Sequence, residues 1–141
     1  MEVFDWHQAG SEFLHLSVAF LLTAIIGWNR EQESHNVGIR AFPILGTASC
    51  AYLMIAFSPQ ALQGLMAGIG FVGGGAIVKE GITTHGTATA ASVWCAGAIG
   101  GAVATDHWVM AIMVTVFNLL ALRGLAPVKA KLDKAERRLD S

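Results

Sequence analysis

The residues most able to do chemistry lie at the margins of apolar runs. Asn29-Arg30-Glu31 closes one such run, Arg40 opens the next, Lys79-Glu80 follows a third, and His85 and Asn118 belong to the same polar set. Glu33, His35, Thr83, Thr84, Thr87, Thr89 and Arg123 extend it. Glu31, Glu33 and Glu80 carry the hard oxygen donors that Mg²⁺ takes. Arg30, Arg40 and Lys79 would oppose a cation there, so Glu31 and Glu80 are weak metal candidates and no cofactor is expected. Two readings stay open. Arg–Glu pairing would lock the loops, because charge at a membrane edge is costly unless paired. Alternatively the cluster is a polar vestibule that binds an ion, an anionic head group or another protein.

The other reactive side chains argue against an enzyme. His7, His15, His35, His85 and His107 never pair at the three- or four-residue spacing that one helical zinc site needs. His15 is expected to donate a hydrogen bond between helices, and Asp106 and His107 to be solvated. Ser49, Ser92 and the threonines form no Gly-x-Ser-x-Gly or Ser/His/Asp set and are expected to serve helix contacts. Cys50 and Cys95 lie within apolar runs without metal-type spacing and are expected to be buried thiols.

The elements that must position these groups are membrane spans. Charged residues make up 13% of the 141 residues, against about 25% in a soluble domain. From Ala41 to Val78 there is no Asp, Glu, Lys or Arg. A span needs about 20 mostly apolar residues, which predicts five: Phe13–Trp28, Ile39–Phe57, Leu62–Val78, Ala88–Ala104 and His107–Leu122. The fold class is all-α, a polytopic membrane protein with short loops. Pro59 is read as breaking the chain in a tight turn. Met1 to Glu12 lacks the basic region of a removable leader.

Five spans put all nine Lys and Arg residues on one side. By the positive-inside rule the amino terminus is then periplasmic and the carboxy terminus cytoplasmic, in a bacterial inner membrane. Trp6, Trp28 and Trp108 fall at the two interfaces. The chain divides into a membrane domain, 1–125, and a basic tail, 126–141. In the tail Val128, Leu132, Ala135 and Leu139 recur at helical spacing, which predicts an amphipathic helix on the inner leaflet; a frayed polar tail is the alternative.

Residues 64–75 hold six glycines in twelve, a density that weakens a helix in water but lets neighbouring helices approach in a bilayer. Gly64/Gly68, Gly70/Gly74 and Gly97/Gly101 are small-residue pairs, with Gly73 and Gly75 beside them. The third span is therefore expected to be central and to touch several neighbours. Gly68-Ile-Gly70-Phe-Val-Gly73 matches the dinucleotide fingerprint formally, but it lacks the preceding strand and the later acidic residue that the motif requires. No nucleic-acid partner is indicated.

Four blocks, in order, resemble the MgtC/SapB family. Ile25-Ile-Gly27-Trp-Asn-Arg30-Glu31 resembles its Gly-Leu-Glu-Arg-Glu ending of the first span, and Gly38-Ile-Arg40 its Gly-Leu-Arg-Thr. Gly68-Ile-Gly70-Phe-Val-Gly73-Gly74-Gly75 resembles its Gly-Ile-Gly-Phe-Leu-Gly-Ala-Gly. The segment from Thr84 to Trp94 resembles its Gly-Leu-Thr-Thr-Ala-Ala-Thr-Leu-Trp. The resemblance implies five spans and a non-enzymatic regulator in adaptation to low magnesium and, in pathogens, in survival inside host cells. It also implies partner membrane proteins such as the rotary ATP synthase, a sensor or a transporter, and carries Arg30, Glu31, Arg40, Gly68, Gly70, Gly73 and Trp94 over by position. A homodimer is expected from the small-residue faces. The competing expectation is an oligomeric Mg²⁺ transporter or an ion- or lipid-binding protein. Asn29 stands where the family has Glu, and Gly86-Thr-Ala-Thr89 replaces Gly-Leu-Thr-Thr. The short tail predicts a form without the family's carboxy-terminal domain.

Overall fold

The structure is a computed structural model that describes residues 5–33, 38–80 and 83–139. Six helices follow in chain order: α1 (Trp6–Glu33), α2 (Ala41–Ile55), α3 (Pro59–Gly75), α4 (Thr87–Ala104), α5 (Trp108–Gly124) and α6 (Ala126–Leu139). Between α3 and α4 lies an antiparallel hairpin of β1 (Val78–Glu80) and β2 (Thr83–His85), with Lys79 opposite Thr84.

The chain is an all-α membrane protein apart from that hairpin. Three apolar stretches are long enough to cross a bilayer: Trp6–Gln32, Thr87–Ala104 and the run from Trp108 that contains α5. The 15 residues of α2, about 22 Å of helix, fall below the ~17–25 residues of a span, whereas α3, with 17 residues, is as long as α5. The expected third span ends too late. Its helix stops at Gly75, after three consecutive glycines that supply no side chain to pack, and Val78 enters a strand instead. Pro59 sits in the first turn of α3, where its missing N–H costs nothing. Ser58 caps that helix by accepting from the Ala61 N–H at 3.0 Å.

The tail is helical, so the frayed alternative fails. Its residues are all exposed, and the helix begins one residue after α5 ends.

The central helix is α4, not α3. It packs against α1, α2, α3 and α5, and ten of its 18 residues are buried on more than one face. Only Ile69 and Gly73 of α3 are buried. The reason is the size of the residues on α4. A Cβ on Gly100 would overlap the Gly46 carbonyl oxygen and lie 2.8 Å from Ser49 Cβ, so α2 and α4 are nearly in backbone contact. A Cβ on Gly97 would overlap Ile69, and one on Gly101 would lie 3.2 Å from Leu53. The core they enclose includes Ala19, Ile26, Phe42, Cys50, Ala96, Ile99 and Val103. Cys50 is buried as expected, whereas Cys95 is partly exposed.

Candidate functional site

The inward face of α1 carries His15, Ala19, Thr23 and Ile26 at helical spacing, then Asn29 and Arg30. At 1.5 Å per residue, Arg30 lies about 22 Å along the bundle from His15. The helices alternate in direction, so this basic end of α1 meets the start of α2, the start of α4 and the end of α5. Glu31 confirms the first junction by accepting from the Ile39 N–H at 3.1 Å.

The buried polar groups of this end are Asn29, Arg30, Thr89, Ser92 and Asn118. They come from α1, α4 and α5, three helices in mutual contact. Ser92 Oγ donates to Asn118 Oδ1 at 3.2 Å and also reaches the Ala88 carbonyl at 2.9 Å. Arg30 is only 4% exposed. Among the described residues Asn29 Oδ1 is buried without a hydrogen-bond partner, although a buried amide oxygen normally has one.

The expected vestibule therefore divides. Asn29, Arg30 and Asn118 are buried in it. Glu31, Arg40, Lys79 and His85 are exposed. The side chains of Glu33, Glu80 and Thr83, and all of His35, lie outside the described residues. Glu31, one of the two weak metal candidates, is engaged by backbone, and among the described residues no three His, Cys, Asp or Glu side chains converge. Ser92 was expected only to make a general helix contact. Its pairing with Asn118, 26 residues away, had no local signal.

The opposite end holds one compact tie. His15 Nδ1 lies 2.7 Å from the Ser11 carbonyl, and Nε2 lies 2.9 Å from Asp106 Oδ1. The Trp108 ring packs against the imidazole, with centroids 4.7 Å apart. His15 thus makes the inter-element hydrogen bond expected of it. Asp106 is exposed but is bonded rather than merely solvated. It takes φ of +59° at the end of α4, where the His107 N–H donates to the Ala102 carbonyl at 2.8 Å. Glycine usually fills that left-handed position. A carboxylate there reaches back to α1.

Between the two ends three hydroxyls turn on their own helices, whereas Thr47 Oγ1, midway along α2, is buried without a partner among the described residues. Thr23 donates to the Ala19 carbonyl at 2.6 Å, Ser49 to Leu45 at 2.8 Å and Thr115 to Ala111 at 2.9 Å.

The glycines sort by contact. A Cβ on Gly73 would lie 3.3 Å from the Ala90 carbonyl oxygen, and one on Gly70 would lie 3.6 Å from the Trp94 ring. A Cβ on Gly64, Gly68, Gly74 or Gly75, all expected to pack helices, would meet nothing within 4 Å among the described residues. Beside this open face, α2 and α3 diverge around a cleft of about 740 Å³ lined by apolar groups such as Ile44, Tyr52, Leu65 and Val72.

The model of the MgtC family matches residues 16–131. The chain belongs to the MgtC family. It is 32% identical over 138 residues to MgtC of Brucella abortus, covering 91% of this chain and 57% of that one. It is 31% identical over 136 residues to MgtC of Salmonella paratyphi A, covering 86% and 59%. Protein SrpB of Synechococcus elongatus is 29% identical over 141 residues, covering 85% and 76%. The chain thus spans a little over half the length of these MgtC relatives. No solved structure matches. The glycine block by which the chain resembles the family splits in space: Gly70 and Gly73 seat Trp94 and α4, whereas Gly68 lines the cleft between α2 and α3.

Proposed function

We propose that this MgtC-family chain is a non-enzymatic regulator that acts on a partner membrane protein in the bacterial inner membrane. The setting is adaptation to low magnesium and, in pathogens, survival inside host cells. Its amino terminus is periplasmic and its basic end cytoplasmic. The observation that carries this reading is the open side of α3: a Cβ on Gly64, Gly68, Gly74 or Gly75 would meet nothing within 4 Å, and Gly64 and Gly68 line the cleft toward α2. Glycine within an apolar helix has its use in close helix contact, and at these four positions no other helix comes that close among the described residues. A helix of a partner protein or of a second copy fits that role. The polar groups of the bundle support the same reading. They gather mainly at its two ends, and three of the hydroxyls between them, those of Thr23, Ser49 and Thr115, bond their own helices, which is poor lining for an ion path.

The test is native mass spectrometry of the protein extracted gently from its own membrane under low magnesium, comparing wild type with Gly64→Leu/Gly68→Leu. A second protein bound stoichiometrically to wild type and lost from the variant, with the variant's abundance and helix content unchanged, is the expected result. Mg²⁺ flux in proteoliposomes of wild type that Glu31→Ala abolishes, with no second protein bound, would overturn the proposal in favour of transport.

A further inference from the structure

The helix α6 has an apolar stripe that the rest of the chain leaves uncovered. Leu125, Val128, Leu132, Ala135 and Leu139 recur at intervals of three and four. At 100° per residue they fall within an arc of about 80°. Leu125, Val128, Leu132 and Leu139 are each at least half exposed. Lys131 and Arg138 flank one edge of this arc. Lys129 flanks the other, shared with Glu136, and Lys134 and Arg137 lie on the far side. Over Ala126–Leu139 five cations (Lys129, Lys131, Lys134, Arg137, Arg138) meet two anions (Asp133, Glu136), a net charge of +3. The helix starts where α5 ends, at the end of the bundle that also exposes Arg40, Lys79 and Arg123.

We infer that α6 is a docking surface for anionic phospholipid head groups, lying flat on the bilayer that α5 has just crossed. The argument rests on charge and continuity. An apolar stripe left in water would cost the free energy of its exposed area, and the nearest apolar phase is the one that covers α5. The Lys131–Arg138 edge then lies at head-group depth, where long cationic stems bury their methylenes and keep the charge at the surface. The exposed Arg40, Lys79 and Arg123 add positive potential at the same level. Each Lys or Arg near an anionic surface strengthens association about fivefold. This surface is separate from the open face of α3, and it stands or falls independently of the regulator reading.

Hydrogen–deuterium exchange of the full chain in nanodiscs tests the inference. One set contains phosphatidylcholine alone and the other adds phosphatidylglycerol at about a third of the lipid. Amides of residues 128–139 are expected to exchange at least about tenfold more slowly in the anionic discs at low salt. The difference should shrink once salt near 0.5 M, roughly, screens the charges. Lys131→Gln/Arg138→Gln should remove most of the difference while α4 keeps its protection, which shows that the bundle is intact. Equal exchange of α6 in the two discs would overturn the inference, as would protection that appears only when another protein is added.

Discussion

Substituting Gly100 by alanine separates a glycine that packs from one that is merely present. The new Cβ would overlap the Gly46 carbonyl oxygen and lie 2.8 Å from Ser49 Cβ and 3.0 Å from Cys50 N. Carbon atoms prefer separations of about 3.5–4.0 Å, so α2 must retreat from α4 by close to 1 Å, roughly. A gap of that size forfeits a quarter to a half of each contact it opens, at ~0.1–0.2 kcal/mol per atom pair. Across several dozen pairs in the most extensive helix contact of the bundle, the loss is about 3 kcal/mol, at the upper end of what overpacking costs. Alanine returns up to about 1 kcal/mol through its better helix propensity, leaving a net destabilisation near 2 kcal/mol, roughly. Gly68→Ala is the matched control. Its Cβ meets nothing within 4 Å, so it keeps the propensity gain without the clash. Reversible unfolding by SDS in mixed micelles reads both. Gly100→Ala should lie about 3 kcal/mol below Gly68→Ala. Equal stability of the two variants would refute the claim that backbone contact between α2 and α4 sets the packing.

Three further outcomes follow from particular contacts. Asp106→Ala should cost about 1–2 kcal/mol, because one exposed tie is lost and alanine adopts the left-handed φ of +59° less readily than Asp or Asn; it should speed exchange around residues 104–108, and Asp106→Asn, which keeps both an acceptor for His15 and the tolerance of that φ, should restore most of the protection. Ser92→Ala, Asn118→Ala and the double variant form a cycle whose coupling should be about 0.6 kcal/mol, the typical worth of an interhelical hydrogen bond in a membrane; a coupling of zero would mean that the 3.2 Å contact does not hold α4 to α5. Arg30→Ala should sharply lower the abundance of folded protein, whereas Arg40→Ala should leave it near wild type, since Arg30 is buried and Arg40 exposed. Quantitative immunoblotting of isolated membranes checks this pair, and equal losses would contradict the difference in burial.

Much of the membrane architecture is legible along the chain, because its signals are local. Charge-free runs of sufficient length must leave water, and the backbone must then satisfy its own hydrogen bonds as helix. The break before Pro59, the tight α4–α5 connection and the three- and four-residue period of the tail are also local, and the structure has a helix break at the first two and a helix at the third, although α3 starts at Pro59 rather than at Leu62. The same signals picked out Asn29, Arg30 and Asn118 as polar groups at the margins of apolar helices. What remained depends on which side chain meets which. A glycine has the same identity whether it faces a neighbour or nothing, so composition marked α3 as central, whereas Gly97, Gly100 and Gly101 give that place to α4. The two strands after α3 carry no alternation long enough to announce themselves. The tie of His15 to Asp106 spans 91 residues and that of Ser92 to Asn118 spans 26. Neither has any periodicity to betray it. Local periodicity and hydropathy thus decided where the helices are. Only packing in three dimensions decided their neighbours, because contact depends on the shape and facing of residues far apart in the chain.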